Sequence, residues 1–256
     1  MATKIDDELA TQALESLLKH CNTDQSLQRD KDVQVIINTA KKMGLRNDHT
    51  PRIIPLSKSK LHRPKELRIM LVTKDPSVPY RDVFTKNEAT AELFKEIIGI
   101  KNLRRRFRGA KSIQLYKDFD IIIADFRVHH LLPDILGSKF YHGNKKLPFV
   151  IRMSRPVSAK NQTASTECDP AFIRAQVRNI CKNTSYVPNS DNCLGVRIGQ
   201  IGRHPVGEMI QNIKDVIAFL TDKTKKPQGG TVKGGIASIF VKTANSPSLP
   251  IYENKR

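Results

Sequence analysis

The chain has 256 residues, a formal net charge of +19 and a hydrophobic content of 39%, which suit one or two packed domains and exclude a generally disordered polymer. A charge this high favours a polyanionic partner, RNA or DNA before a membrane surface, because the cations otherwise repel one another. The sequence has no apolar run of the roughly 18 residues that cross a membrane. Its start is acidic and lacks a secretory segment, so we expect an intracellular protein.

The first part of the chain predicts one helix and two strands. Residues 7–21 carry leucines and alanines at helical spacing, and two acids stand where a helix start favours them. Residues 33–40 and 52–57 predict strands, and Pro55 favours an edge position for the second. This part is too short to bury a core by itself.

The middle of the chain is marked by two near-continuous apolar runs, 66–75 and 119–126. Runs without alternation are typical of strands buried on both faces, as in parallel sheets. We also predict helices over residues 87–98, 110–116 and 128–137, the last ended by Gly137, and a strand over residues 147–153. Strands that alternate with helices indicate a small α/β sandwich over about 63–156.

The last part begins with a polar loop, 156–168. Beyond it we predict a helix over residues 169–181 and a strand over residues 194–202. An amphipathic helix over residues 206–223 and a strand over residues 236–243 follow. Neither chain end has enough secondary structure for its own core. The economical arrangement therefore packs both ends together as one α+β domain, into which the middle block is inserted.

Motifs for catalysis are missing from the sequence. No Gly-x-Gly-x-x-Gly follows the first strand of the middle block, and the glycines around Lys233 do not form a Walker pattern. Zinc sites of the ribbon and finger type require a Cys-x-x-Cys pair. The sequence has no such pair among its cysteines, which are Cys21, Cys168, Cys181 and Cys193. We therefore expect a non-enzyme with reduced thiols and without a metal, a cofactor or a small-molecule substrate.

Two windows of the sequence contain cations and no acid, residues 101–117 and 139–160. Such clusters, framed by foldable sequence, are typical of nucleic-acid binders, and a solvated charged face is the alternative. The cations expected to form this basic contact are Lys101, Arg104, Arg105, Arg106, Arg108, Lys111, Lys139, Lys145 and Lys146; the second window also holds Arg152, Arg155 and Lys160. The interspersed Phe107, Phe140, Tyr141 and Phe149 either stack unpaired bases or belong to the core.

Several segments together carry a resemblance that covers nearly the whole chain: VQVIINTAKK, RIIPLSKSKLHRP, FDIIIADFRVHHLLPDILGSKFYHGNKKLP, VRIGQIG and TANSPSLPIY. With these segments the chain resembles the large-subunit ribosomal protein L1 family. The resemblance implies a two-domain α/β and α+β fold. A discontinuous α+β domain, residues 1–62 plus 157–256, would contain an inserted three-layer, Rossmann-like α/β domain, residues 63–156.

The family's RNA-contact motif near the carboxyl terminus is Ser/Thr-Thr-Met-Gly-Pro. The matching positions here are Thr243, Ala244, Asn245, Ser246 and Pro247, and Gln200 stands where many members have Lys. These departures make the chain similar to the eukaryotic ribosome-assembly branch of the family. That branch implies a nucleolar, non-catalytic factor associated with the early small-subunit precursor.

The resemblance implies a partner, precursor ribosomal RNA, together with pre-ribosomal assembly proteins, and a monomer outside the particle. We expect the discontinuous domain to hold structured RNA through shape, phosphate and 2′-OH contacts. The residues expected to line one face are Lys41, Lys42, Lys58, Lys60, Arg63, Gln200, Arg203, Lys242, Thr243, Asn245, Ser246 and Ser248.

The basic windows fall largely in the inserted domain, so we expect them to form an added contact to RNA or to acidic assembly factors. Two alternatives to the assembly factor stay open. One is a resident protein of the large-subunit stalk. The other is a protein-interaction scaffold whose charge serves only nucleolar retention.

Overall fold

The computed structural model describes residues 5–24, 26–27, 30–58, 60–107, 109, 111–144, 146–155 and 168–254. Most of the predicted loop at 156–168 lies outside these residues. The helices are α1 (Asp7–Thr23), α2 (Val78–Lys86), α3 (Ile100–Phe107), α4 (Lys111–Asp118), α5 (Leu132–Leu136), α6 (Ser138–Tyr141), α7 (Pro170–Lys182) and α8 (Val206–Thr221). Short 3₁₀ helices lie at Pro64–Glu66, His129–Leu131, His142–Asn144 and Lys223–Lys225.

The strands are β1 (Asp32–Thr39), β2 (Arg52–Ile54), β3 (Ile69–Thr73), β4 (Glu96–Gly99), β5 (Ile121–Asp125), β6 (Phe149–Ile151), β7 (Thr184–Tyr186), β8 (Cys193–Gln200), β9 (Ile236–Lys242) and β10 (Leu249–Glu253). The protein is therefore a mixed α/β structure with several sheets. In the described part of the chain, the helices are too short or too polar for a membrane crossing.

The described residues group into two compact units. The first contains those within Met1–Asp48, Arg52–Leu61 and Lys182–Arg256, and the second contains His49–Pro51 and those within His62–Cys181. Our sequence-based boundary after residue 156 differs from this grouping, because α7 lies in the second unit. The side chain of Gln176 on α7 bonds both main-chain polar groups of Arg152, just beyond β6, at 3.0 and 2.8 Å.

The first unit is built on a four-stranded sheet with the order β10-β9-β1-β8, in which neighbouring strands are antiparallel. Along β1 every second side chain is buried, including Val33, Val35 and Ile37, and the alternate ones are partly exposed. The buried face joins one core with residues of α1 and α8. Alternation of this kind gives the sheet one core face and one open face.

A two-stranded antiparallel sheet, β2 with β7, completes this unit. It brings Ile54 and Tyr186 into the same core. The strand β2 is shorter than predicted and stops before Pro55, which lacks the N–H that would extend the ladder. Its place in a two-stranded sheet agrees with the predicted edge character.

The second unit contains the predicted parallel sheet, with the order β4-β3-β5-β6 and every pair parallel. All residues of β3 are buried, as its unbroken apolar run predicts. Met70 and Val72 share a cluster with residues of α3 to α6. Ile69 and Leu71 alternate with them and are fully buried too, so both faces of β3 are covered.

The helix predicted over residues 87–98 is wrong. The helix α2 precedes this segment and ends at Lys86, and a turn follows in which the Asn87 side chain accepts a hydrogen bond from the amide of Ala89 at 2.9 Å. The segment then forms β4, which pairs with β3. Pairing along a buried parallel strand thus overrode the local helical pattern.

Candidate nucleic-acid interface

The open face of the four-stranded sheet presents side chains in cross-strand rows. In one row Gln34 of β1 lies between Lys242 of β9 and Arg197 of β8. In the next row Ile36 lies between Phe240 and Gly195. The central row is thus apolar, and the row toward the start of β1 carries two cations around an amide.

The third row of this face is polar. Asn38 lies between Ser238 and Cys193, and its side-chain amide donates to the Ser238 hydroxyl at 3.0 Å. Such a face combines hydrogen-bonding groups with apolar surface. It can contact the phosphates and 2′-hydroxyls of structured RNA without reading the base sequence.

The turn between β9 and β10 contains four of the predicted RNA-contact residues. Thr243 and Ser246 are buried, and the Ser246 hydroxyl accepts a hydrogen bond from the Thr243 amide at 2.8 Å. The Thr243 hydroxyl lies 3.9 Å from the thiol of buried Cys21. These two hydroxyls therefore stabilise the turn from its buried side, whereas Asn245 and Ser248 are exposed.

Acidic residues at the start of β1 hold two of the predicted RNA-contact residues, Asn245 and Gln200, and also Arg197. Asp30 accepts hydrogen bonds from the main-chain and side-chain amides of Asn245, at 3.0 and 2.6 Å. Asp32 accepts from Arg197 at 3.3 Å and from Gln200 at 3.4 Å. The turn end of the sheet is therefore less positive than the net charge of the chain suggests.

A histidine joins the segment before residue 61 to the turn after β8. His204 is buried, and its Nδ1 accepts a hydrogen bond from the Gln200 amide at 3.1 Å. Its Nε2 consequently carries the proton that it donates to the Lys60 carbonyl, at 3.2 Å. The exposed residues Lys60 and Arg203 are thereby brought near Gln200, although no sequence motif marks His204.

Lys58 lies in the same stretch and is exposed. The preceding Ser57 donates through its amide and its hydroxyl to Asp215 of α8, both at 2.7 Å. Arg63 belongs to the second unit, and its guanidinium lies 3.9 Å from Glu66.

Lys41 and Lys42 lie at the other end of the sheet. They follow the last residue of β1, whereas Gln200 pairs with its first residue and Lys242 with its third. The eight residues of β1 separate the two ends by about 25 Å at the usual strand rise. Apart from Arg63, which belongs to the second unit, the predicted set therefore divides into a turn-end group and a far-end group.

The far-end group has a neighbour in the glycine-rich segment around Lys233. The amide of Ala40 donates to the Gly235 carbonyl at 3.0 Å, which places the glycine-rich segment around Lys233 beside Lys41 and Lys42. Gly234 has a φ of +73°, and a Cβ there would lie 2.8 Å from Cγ of Lys41. Glycine thus permits this close approach of two loops.

The first basic window forms α3 and α4 of the second unit. Leu103 and Phe107 are buried, which leaves Lys101, Arg104 and Arg105 exposed on the outer side of α3. Arg106 forms an ion pair with Glu96, and its guanidinium lies 4.9 Å from the Phe107 ring centroid. A cavity of about 630 Å³ adjoins them, lined partly by Arg68, Lys95, Arg105, Arg106 and exposed Lys111.

The described lysines of the second window gather around Tyr116. The ammonium nitrogens of Lys139 and Lys146 lie 5.1 and 4.3 Å from its ring centroid. Lys146 also donates to the Tyr116 carbonyl, and burial lowers the pKa of its ammonium group. Phe107 and Phe140 belong to the core, which settles the alternative for these two rings. Arg108, Lys145 and Lys160 lie outside the described residues.

The thiols differ in access. Cys21 and Cys181 are buried, Cys168 is partly buried and Cys193 is exposed on the open sheet face. Burial raises the pKa of the Cys181 thiol to about 12, and burial likewise raises the pKa of Cys168 to about 12. Among the residues that the structure describes, no three His, Cys, Asp or Glu side chains are grouped to hold a metal ion.

Comparison with known proteins gives a family and close relatives. Residues 17–247 match the Ribosomal protein L1p/L10e family. The chain is 61% identical to Ribosome biogenesis protein UTP30 of Saccharomyces cerevisiae over 97% of this chain and 91% of that protein. It is 26% identical to Ribosomal L1 domain-containing protein 1 of Mus musculus over 78% of this chain but 43% of that protein. The predicted family resemblance is confirmed.

Proposed function

Because the chain belongs to the Ribosomal protein L1p/L10e family, we propose that it is a non-catalytic ribosome biogenesis factor that binds precursor ribosomal RNA. The 61% identity with a yeast ribosome biogenesis protein over most of both chains supports the biogenesis role. The observation that carries RNA binding is the open sheet face with Lys242, Gln34 and Arg197 in one row, in a chain of charge +19.

The first unit acts in this proposal as the discontinuous RNA-binding domain, and the second as an inserted α/β domain. Cations near the turn between β9 and β10 supply phosphate contacts: the half-buried Lys242 and the exposed Arg203, Lys60 and Lys58. The buried hydroxyls of Thr243 and Ser246 fix the backbone of the turn, so that main-chain groups and Ser248 meet the RNA. The exposed cations of α3 provide a second contact to RNA or to assembly proteins.

The particle that we propose is the early small-subunit precursor in the nucleolus, where the chain arrives as a monomer. A resident protein of the mature large subunit is the second candidate, since the family name refers to a ribosomal protein. Sedimentation of cell extracts separates the two. An assembly factor is expected in fractions of the early precursor and absent from mature large subunits, and the reverse distribution would contradict our proposal.

RNA contact is tested by crosslinking in living cells followed by sequencing of the attached RNA. We expect reads concentrated in one segment of precursor ribosomal RNA, and a sharp loss of those reads when Lys242 and Arg203 are both replaced by Glu. The control replaces Lys19 by Glu, since Lys19 is exposed on α1, a helix that packs against the opposite face of the sheet. Crosslinks no more frequent than for an unrelated basic protein would favour the scaffold alternative.

A further inference from the structure

The carboxyl end of the parallel sheet carries an exposed aromatic ring. Phe126 follows β5 directly and has 52% of its surface exposed, in contrast to buried Phe107 and Phe140. Its main-chain amide donates to the Ile151 carbonyl at 2.9 Å, which continues the pairing of β5 with β6. The backbone of Phe126 is therefore held in place while its ring faces solvent.

Two planar groups accompany this ring. The imidazole of His129 is stacked on it, with centroids 5.4 Å apart and an interplanar angle of 23°. Nδ1 of His129 lies 2.7 Å from the Phe126 carbonyl, a hydrogen bond that orients the imidazole. The guanidinium carbon of Arg152 lies 5.4 Å from the Phe126 centroid. Flat, partly cationic surfaces of this kind are the ones on which unpaired bases stack.

Charges around the ring favour an anionic ligand. Asp125, almost fully buried, is paired with Arg127, which also donates to the Tyr80 hydroxyl at 2.8 Å. Asp169 accepts from Arg155 at 3.1 Å. The nearby carboxylates are thus already engaged, and across the described ranges the Arg152 guanidinium has no carboxylate partner. Its charge remains available to a phosphate.

The topology places this group at the carboxyl edge of the parallel sheet, one strand away from the point where open α/β sheets bind ligands. From β3 the chain continues to β4 on one side, and from β5 it continues to β6 on the other. The strand order therefore reverses between β3 and β5, and ligands bind at the carboxyl ends of strands at such a point. Because the Gly-rich phosphate loop of dinucleotide sites is missing from this sequence, recognition there must rest on stacking and on cations.

We propose that Phe126, together with His129 and Arg152, is a stacking site for an unpaired base of the bound RNA, with Arg152 also contacting the adjoining phosphate. This inference rests on the proposed RNA-binding function. It assigns base stacking to the end of β5, and it leaves the α3 cations as phosphate contacts without an exposed aromatic partner.

The chain contains no tryptophan, so a single Trp is a clean reporter. In the full chain carrying Phe126→Trp, a short single-stranded RNA oligonucleotide is expected to quench and shift the emission. An abasic oligonucleotide of the same length, which has the phosphates and lacks the bases, is expected to leave it almost unchanged. The matched control is Leu9→Trp, since Leu9 is 44% exposed and follows the acids Asp6, Asp7 and Glu8. Neither oligonucleotide should change its emission.

Affinity provides a second readout. Phe126→Leu is expected to weaken binding of the short RNA by roughly 5- to 150-fold, the range for losing one stacked base. Phe126→Tyr, which keeps a ring, should bind within about twofold of the natural chain, because the stacking surface is unchanged. Binding of the abasic oligonucleotide should be the same in all three proteins. The exposure of position 126 makes these changes compatible with folding, which the thermal transition verifies.

The outcomes separate this inference from the function on which it rests. If the natural chain does not bind the short RNA at all by anisotropy, the proposed RNA-binding function fails. If it binds, and the emission of the Phe126→Trp chain responds to neither oligonucleotide or to both equally, the stacking site alone is overturned. Loss of pre-ribosomal protein partners in Phe126→Leu, with RNA affinity unchanged, would also overturn it and would assign the ring to a protein contact.

Discussion

Asn245 donates two hydrogen bonds to a single carboxylate oxygen of Asp30, one from its main-chain amide at 3.0 Å and one from its side chain at 2.6 Å. Asp30 lies just before β1, and Asn245 lies in the turn between β9 and β10. The pair therefore fixes the exposed part of the turn to the sheet. It also places a negative charge beside a surface that we expect to approach phosphates.

Replacing Asp30 by Asn should separate these two effects. The Asn side chain keeps an oxygen that can accept from Asn245, but it removes the charge that repels phosphate. We expect Asp30→Asn to bind precursor RNA about two- to fivefold more tightly at low salt, the range expected for one exposed charge interaction. Filter binding or anisotropy with the crosslinked RNA segment measures the difference.

Asp30→Ala is the companion variant, since it removes both the charge and the acceptor. Its turn should be less ordered, and its affinity should fall below that of Asp30→Asn. Equal affinities for these two variants would show that the hydrogen bonds from Asn245 do not organise the RNA contact.

The salt dependence of binding should tell which end of the sheet meets the RNA. Each lost phosphate contact reduces the slope of log K against log salt concentration by about one. We expect Lys242→Gln at the turn end to reduce the slope by about one. Lys41→Gln and Lys42→Gln at the far end should leave it close to that of the natural chain. A smaller slope for the far-end variants, with no change for Lys242→Gln, would place the RNA at the opposite end.

Arg105 and Arg106 are neighbours on α3 with different expected roles. Both are exposed and line the cavity, but Arg106 also pairs with Glu96 and lies over the Phe107 ring. Arg106→Glu should lower the free energy of unfolding by roughly 1–2 kcal/mol, because it loses the cation–π contact and places two acids together. Arg105→Glu should leave stability within about 0.5 kcal/mol.

Urea denaturation measures these stabilities, and pull-down of pre-ribosomal particles measures function. We expect Arg104→Glu with Arg105→Glu to weaken association with the particle without loss of folding. Unchanged association in that double variant would remove the second contact from our proposal.

Thiol modification can report whether RNA covers the open sheet face. Cys193 is exposed there, whereas Cys21 and Cys181 are buried and a reagent in solution cannot reach them in the folded chain. We therefore expect an alkylating reagent to modify Cys193 well before Cys21 and Cys181, as mass spectrometry would show. Bound RNA that covers the third row of the face should slow modification of Cys193.

The rate of modification of Cys193 is compared with and without RNA, using a reagent small enough to reach every exposed thiol. The Cys193→Ser chain gives the background modification of the other thiols. Modification of Cys193 at the same rate with and without saturating RNA would restrict the contact to the turn end of the sheet.

The sequence by itself determined the family, most helices and strands, and the parallel character of the middle sheet. The unbroken apolar runs at β3 and β5 predict burial on both faces, and the structure agrees. The spacing of apolar residues in α1 and α8 also predicts their buried stripes. These features are local, because one segment contains both the pattern and the element that it forms.

Only the tertiary structure decided which candidate residues lie together and which side chains are accessible. Thr243 and Ser246 are polar in sequence, yet they are buried because the turn closes over Cys21. Lys41 lies a full strand away from Lys242 because β1 and β9 are antiparallel, and Phe126 is exposed while Phe107 is not. Such relationships depend on register and on packing between distant segments, which no single stretch of the sequence contains.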